Sequence, residues 1–401
     1  MAATMSSVAT ILKEIYEPTM REQLNAEVTT LTRVQKTSEG VTSEVGGRYV
    51  TFPVKTSRNQ GIGARLEMEA LPAAGNQGRK TARVGLRHLY GTMRLTGQVF
   101  ELAKTNTQAF ASTLEDETTS LKTDLAVDLN RQVYGNGTGT LAAITAGTTG
   151  TTFTVAHTLW LDSQIGCVVD IYDATGVTQK ATGRTITTIT DTQVTISGAN
   201  VTVVSTDIIV RTGSVGKADL SVQREWTGLG AIVSSIGTLY NLTDPVWTSN
   251  LFTNSGTARA LSEGLMTTAC DVARKRGGST PSVMFCNLGV RRSYANLLVQ
   301  QRRFTNVQEF KGGFSGLAFT TDKGDVPLVT DTHCPPNSIY GLNEKELKWY
   351  RAADWEFMNR DNSTWDRVPG YDAYDATMYQ YSELGTHRRN AHFFIGDIIE
   401  S

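Results

Sequence analysis

Cysteine is scarce in this chain. The four present, Cys167, Cys270, Cys286 and Cys334, include no CxxC pair, so neither a zinc ribbon nor a dithiol redox motif is encoded. Reduced thiols acting as small hydrophobes are expected. Histidine is equally sparse: none of His88, His157, His333, His387 and His392 stands in an HExxH pattern, which excludes a zincin. His387 with His392, or His333 beside Cys334, could share a metal only if folding joined them; surface or hydrogen-bonded histidines are the plainer expectation. No serine sits in a GxSxG elbow, and no cysteine is framed as a nucleophile. Acid pairs such as Asp372 and Asp375 are interspersed with tyrosines, as on a solvated strand face with cross-strand packing. A chain without catalytic residues, cofactor or metal is expected.

Charge of one sign is missing too: Lys plus Arg number 38 against Asp plus Glu 39. That balance argues against a dedicated nucleic-acid or membrane binder. The start, Met1-Ala-Ala-Thr-Met-Ser-Ser, lacks the basic and apolar regions of a signal peptide, and no run approaches the roughly 20 apolar residues needed to span a bilayer. The expectation is a soluble protein made in a cytosol. With 39% hydrophobic residues over 401 positions, the chain can bury a core in about two or three domains.

Against these absences stand five blocks. Residues 1–45 carry loosely spaced apolar positions (Ile11, Leu12, Ile15, Leu24, Leu31, Val34), too few for a core of their own, so an arm ordered by a neighbour is expected. Residues 46–97 are basic: Arg48, Lys55, Arg58, Arg65, Arg79, Lys80, Arg83, Arg87 and Arg94 against only Glu67 and Glu69. Alternating stretches at each end, around a middle rich in Gly, Asn, Gln and Pro, predict a long hairpin with a mobile tip that buries neither face within the monomer and so needs a partner surface. Between residues 98 and 134, Val99, Leu102, Phe110, Leu114, Leu121, Leu125, Leu129 and Val133 recur at helical spacing, predicting one helix on the order of 50 Å long. Gly135-Asn-Gly-Thr-Gly should stop it through the left-handed conformation open to glycine. These glycines follow a helix and carry no Walker lysine, so they are no phosphate loop.

Residues 140–213 are rich in Thr, Val, Ile and Gly, with strand-like runs at 152–155, 168–172, 185–189, 193–196, 201–204 and 208–210. A small antiparallel barrel or sandwich inserted after the helix is the economical reading. From 214 onward helices alternate with strands: a helix around 261–273 ended by Gly277-Gly278, a strand at 281–286, a helix at 290–298, and strands near 325–329, 338–342, 374–381 and 391–399. The whole is α+β.

The order of these parts resembles the Hong Kong 97-like major capsid proteins of tailed double-stranded DNA phages. Local sequences carry the likeness: Gly46-Gly-Arg-Tyr-Val-Thr-Phe-Pro-Val, Arg131-Gln-Val-Tyr-Gly-Asn-Gly-Thr-Gly, Gly324-Asp-Val-Pro-Leu-Val-Thr-Asp, Pro336-Asn-Ser-Ile-Tyr-Gly-Leu and Tyr371-Asp-Ala-Tyr-Asp-Ala. The resemblance implies an N-arm at 1–45, an E-loop with flanking P-domain strands at 46–97, a spine helix at 98–134, an inserted β-rich domain at 140–213, mainly A-domain at 214–375, and C-terminal P-domain strands at 376–401. It implies assembly with copies of itself into hexamers and pentamers of an icosahedral head. Scaffolding, portal and decoration proteins are possible partners, packaged DNA is held non-specifically, and no membrane is involved. The arm starts almost at Met1, which implies a separate scaffolding protein or none.

Some relatives join an E-loop lysine to a neighbour's asparagine; Lys55, Lys80 and Asn362 are of those types, but nothing in the spacing brings them together. Complementary charge points instead to Arg58, Arg65, Arg79, Lys80 and Arg83 of one copy facing Glu115, Asp116, Glu117 and Asp124 of another. A nanocompartment shell related to the encapsulins is the alternative, and a β-rich adhesive or carbohydrate-acting protein a more distant one.

Overall fold

The apolar stripe that ends at Val133 folds as a helix, Thr107–Tyr134, about 42 Å long at 1.5 Å per residue. It belongs to a computed structural model that describes residues 27–37, 49–99, 107–161, 164–235, 237–301, 317–359 and 363–400. Residues 100–106 of the expected helix lie outside those described. Its C-terminal half is deepest, with Leu129 and Val133 fully buried, while Leu121 and Leu125 reach over Gly91 of the strand Arg87–Thr96. The helix stop differs in detail from expectation. Gly135 closes the last turn by donating its N–H to the Gln132 carbonyl at 3.0 Å, and the left-handed residues are Gly137 and Gly139, at φ 79° and 78°.

Residues 140–211 then form six antiparallel strands in the order Thr140–Ala143, Ile208–Arg211, Val168–Tyr172, Gln179–Ile189, Gln193–Ile196, Thr152–Thr154. The outer two meet: Ile144 bridges Val155, with Thr145 N–H donating to the Thr154 carbonyl and Ala156 N–H to the Ala143 carbonyl, both at 2.9 Å. The sheet therefore closes into a barrel and leaves no free edge. Leu141, Phe153, Ile171, Ile186, Val194 and Ile209 fill it, each no more than 1% exposed.

Two sheets make the body. In the first, Ala373–Thr386 is flanked by Leu347–Phe357 and Arg87–Thr96, and Gln35–Thr37 adds in parallel at the outer edge of Leu347–Phe357. The second runs Asn250–Phe252, Phe393–Ile395, Ile339–Leu342, Val283–Cys286, Gly324–Thr330, Leu317–Thr321, and shares a core with the helices Glu263–Gly277 and Leu288–Gln301. Ser262 caps the first helix by accepting the Leu265 N–H, and Gly278 ends it in the left-handed conformation. The sheets do not divide at residue 375: Leu347–Phe357 pairs in the first, while Phe393–Ile395 joins the second.

The strand Leu347–Phe357 escapes a reading by alternation because register shifts at Arg351/Ala353 and Ala353/Glu356 break its period. The arm also departs from expectation. Its described part, residues 27–37, docks on its own subunit, with Leu31 and Val34 in the main core.

Two buried side chains fasten residues 387–392, the link between the two sheets. Arg389, 1% exposed, donates to the carbonyls of Ile232, Ser234, Ala231 and Trp247 at 2.8 to 3.3 Å. His392 accepts the Asn343 N–H on Nδ1, which leaves Nε2 to donate to Thr386 Oγ1 at 3.0 Å. Burial holds His392 neutral, its pKa lowered to about 3. A histidine whose folded pKa lies below its unfolded one contributes fully above about pH 6.5 and loses that contribution as pH falls toward 3. Denaturant midpoints should therefore decline between those limits, and His392→Asn should flatten the decline while lowering stability at neutral pH. An identical acid slope in the variant would assign it to other groups.

Candidate assembly interface

The basic hairpin pairs Tyr49–Lys55 with Arg79–Gly85, from Tyr49 opposite Gly85 to Lys55 opposite Arg79. Its base is not free: Val50, Ala82 and Val84 are buried in the main core, which corrects the expectation that the hairpin buries neither face in the monomer. Alternation puts these side chains on one face, toward the body, and threonine and arginine on the other. The turn at 238–243 clamps this base. Arg83 N–H donates to the Tyr240 carbonyl at 2.8 Å, and Lys80 Nζ lies 3.0 Å from Asp244 and 3.3 Å from the Thr243 carbonyl. Where hairpin passes into sheet, Arg87 Nε meets buried Glu383 at 3.0 Å; burial still pushes that carboxyl up to about 7, offset only in part by Arg87 and the N–H groups of Thr227 and Leu384.

Beyond Lys55 and Arg79 the chain leaves the body. Arg65 Nε closes the tip by donating to the Ala70 carbonyl at 2.9 Å, and Glu69 accepts the Leu66 N–H at 3.0 Å. Four large apolar side chains face outward: Ile62 at 82%, Leu66 at 77%, Met68 at 101% and Leu71 at 84% exposure. A cluster of that kind on a projecting tip marks an interaction surface.

The charged candidates divide. Arg58, Arg79 and Arg83 are exposed and make no ion pair among the described residues, Arg65 is engaged within the tip, and Lys80 anchors the hairpin to its own subunit. Glu117 and Asp124 are exposed on the long helix; Glu115 and Asp116 belong to the same helix, but their side chains lie outside the described residues, as does Asn362. Arg94, from the same basic block, forms a bidentate pair with Asp375 at 2.6 and 2.8 Å; further along the same two strands Tyr381 meets His88 and Tyr90 edge-on.

Two polar clusters that sequence reasoning missed hold the frame behind the hairpin. In the first, Asp331 accepts from Thr30 N–H (3.0 Å), Thr30 Oγ1 (2.6 Å), Asn130 Nδ2 (3.0 Å) and His333 N–H (2.8 Å), while Tyr134 donates to Thr30 Oγ1 at 2.5 Å. Burial alone would raise this carboxyl, but the donors outweigh it and the pKa is lowered. In the second, Asp128 on the long helix meets Arg131 at 3.0 Å and Arg211 of the barrel at 3.2 Å, and Arg131 reaches Glu225 at 2.7 Å. Burial would raise Asp128, yet the two guanidiniums hold it below the usual range; Glu225 stays raised by burial. Asp128 and Arg131, three apart on the expected helix, were the local signal for the second cluster; the other partners lie far along the chain.

Above these clusters lies a cavity of about 1850 Å³, walled by the hairpin base, the long helix, the barrel and the segment 219–227. Among the described residues, no group of three or more His, Cys, Asp or Glu could hold a metal ion, and no helix is long and apolar enough to cross a membrane.

A projecting hairpin, one long helix against a sheet and a mixed α/β body are the parts of the Hong Kong 97-like shell fold. The chain is similar over 99% of its length, and 99% of the other's, to the capsid asymmetric unit of cyanophage A-1(L), with 13% identity and a TM-score of 0.58. It is likewise similar to a structure from Mycobacterium phage Bobi, with 10% identity, a TM-score of 0.51 and 99% coverage of both chains. No curated protein matches in sequence. Residues 204–398 match the family model of the SU10 major capsid protein. Fold and family match together make the chain a major capsid protein of a tailed phage, a structural component of the virion head.

Proposed function

We propose that the chain assembles, without enzymatic activity, into the hexamers and pentamers of an icosahedral head that encloses double-stranded DNA. The observation that carries this reading is the hairpin tip, whose four apolar side chains have no partner surface on their own subunit. A contact between two different surfaces of like subunits propagates and, with the right rotation, closes. Many modest contacts then sum to a stable shell. Assembly in the host cytoplasm, with scaffolding, portal or decoration proteins as partners, follows from this role. Electron microscopy of purified protein tests it: closed shells are expected, and uniform monomers at high concentration would refute it.

Arg58, Arg79 and Arg83, exposed on the hairpin, act on this reading between subunits, against acidic positions such as Glu117 and Asp124. Replacing Arg58 and Arg79 with glutamate should slow assembly about tenfold or more through like-charge repulsion. A shell lining that gripped phosphates would hinder DNA movement, so wild-type shells should bind duplex DNA weakly at physiological salt. Tight duplex binding by unassembled protein, lost in the double variant while shells still form, would reassign these arginines to DNA.

The barrel is proposed as an inserted domain that folds by itself, because its strands close on one another around a separate core. Residues 140–213 expressed alone should give a β-type circular dichroism spectrum and a cooperative melt. A disordered spectrum would show that the barrel needs the body.

A further inference from the structure

We infer that the turn at 238–243 is a strap that fixes the direction in which the hairpin leaves the body, with Tyr240 as its positioning residue, and that the strap thereby sets the curvature of the shell. The inference rests on the shell-forming role proposed above and adds the element that gives each subunit its angle.

The chain has a joint at the base of the hairpin. The hairpin ladder ends with Tyr49 opposite Gly85, and the ladder of the main sheet begins with Arg87 opposite Ser382. Leu86 alone separates them, so the hairpin can rotate against the sheet without breaking a strand pair in either. The leverage is long. Over the seven paired residues, at about 3.3 Å each, a rotation of about 10° at Leu86 moves Lys55 and Arg79 by about 4 Å, the whole reach of an apolar contact.

Burial of Val50, Ala82 and Val84 holds the hairpin base against the core, but apolar contact is non-directional. Arg87, with its partner Glu383, lies on the sheet side of the joint. Tyr240 bridges it. Its carbonyl accepts the Arg83 N–H of the hairpin at 2.8 Å, and its hydroxyl donates to the Leu384 carbonyl of the main sheet at 3.0 Å. Lys80 Nζ adds a second tie, to Asp244 at 3.0 Å and the Thr243 carbonyl at 3.3 Å. The turn cannot follow the hairpin, because Leu239, Leu242 and Trp247 are buried in the main core, with Trp247 Nε1 donating to the Leu239 carbonyl at 3.2 Å.

The backbone of the turn adds an independent observation. Thr238 pairs with Thr243 and Leu239 with Leu242, which leaves Tyr240 and Asn241 as a two-residue loop at φ 56° and 58°. Such loops favour Asn-Gly, and a bulky side chain in the left-handed region is strained. Strain of this kind persists where surrounding contacts over-determine it, as at clamps and switches. Here the strained residue is the one bonded to both hairpin and sheet. Glycine would relieve the backbone but has no hydroxyl to reach Leu384.

Hydrogen exchange and electron microscopy of the full-length protein test the strap. Tyr240→Phe removes the hydroxyl alone, and Lys80→Met removes the charged end of the second tie. In the unassembled double variant, amides 80–85 should exchange about tenfold faster than in wild type, with the circular dichroism spectrum unchanged. Its shells should spread over several diameters, where wild-type shells share one. Arg274→Met, which removes an exposed ion pair with Asp322, should change neither readout. Exchange at 80–85 no faster than in wild type would overturn the strap, and faster exchange with shells of the wild-type diameter would overturn its control of curvature. The shell-forming role survives both of those outcomes. Wild-type protein that forms no shells would remove that role and the control of curvature together, while exchange in the unassembled protein would still decide the strap.

Discussion

Gly228→Ala should leave little folded protein. A Cβ at this position would stand 2.4 Å from the carbonyl oxygens of both Gln132 and Val133 and 2.8 Å from that of Gly135. Those atoms belong to the end of the long helix, where Gly230 N–H also donates to the Gly135 carbonyl at 3.0 Å, so no flexible side chain can move aside. Relief requires shifting the segment that carries Trp226, Leu229 and Ile232 into the main core, all three fully buried. Overpacking against backbone at such a site costs more than the usual 1–3 kcal/mol, on the order of 5 kcal/mol, which is most of the stability of an ordinary domain. Expression of the variant in the soluble fraction with a melting temperature within a few degrees of wild type would contradict the packing described here.

Asp331→Ala should release the arm and destabilise the body together. The substitution strips an acceptor from Thr30 N–H, Thr30 Oγ1, Asn130 Nδ2 and His333 N–H at once, in a place where Asp331 is 1% exposed and water cannot replace it. Each buried donor left unpaired costs about 1–3 kcal/mol, so a loss of about 4 kcal/mol is expected after partial relaxation. Residues 29–37 should then lose part of their hydrogen-exchange protection, because Leu31 and Val34, the Leu31 N–H bond to Asn130, the half-exposed Arg33–Glu344 pair and the short parallel pairing with Lys348–Tyr350 would be left to hold them. Asp331→Asn keeps the shape and part of the accepting capacity and should fall between. Unchanged protection at 29–37 in the alanine variant would show that the contacts outside the Asp331 cluster suffice to fasten the arm.

The same cluster illustrates how far the chain could be read without coordinates. Two stretches singled out in the sequence, Arg131-Gln-Val-Tyr-Gly and Gly324-Asp-Val-Pro-Leu-Val-Thr-Asp, meet in space through Tyr134, Thr30 and Asp331. Their order along the chain was visible; their meeting was not, since Thr30 and Asp331 are 301 residues apart. The basic hairpin showed as a block of one charge. Which of its cations face outward did not, because Lys80, Arg87 and Arg94 find Asp244, Glu383 and Asp375 far along the chain.

The amino-acid sequence by itself determined the local elements: the long helix through its 3.6-residue period, the barrel strands through their β-branched runs and turns, and the helix Glu263–Gly277 through its apolar spacing and glycine end. Each depends on neighbours within a few residues, where period and turn chemistry act. Only the tertiary structure decided that the barrel closes at Ile144 and Val155, that Leu347–Phe357 is a strand despite its broken alternation, that the arm docks on its own subunit, and that a cavity opens between barrel, helix and hairpin. Those outcomes depend on pairings between distant segments, whose free energy comes from surfaces brought together only on folding.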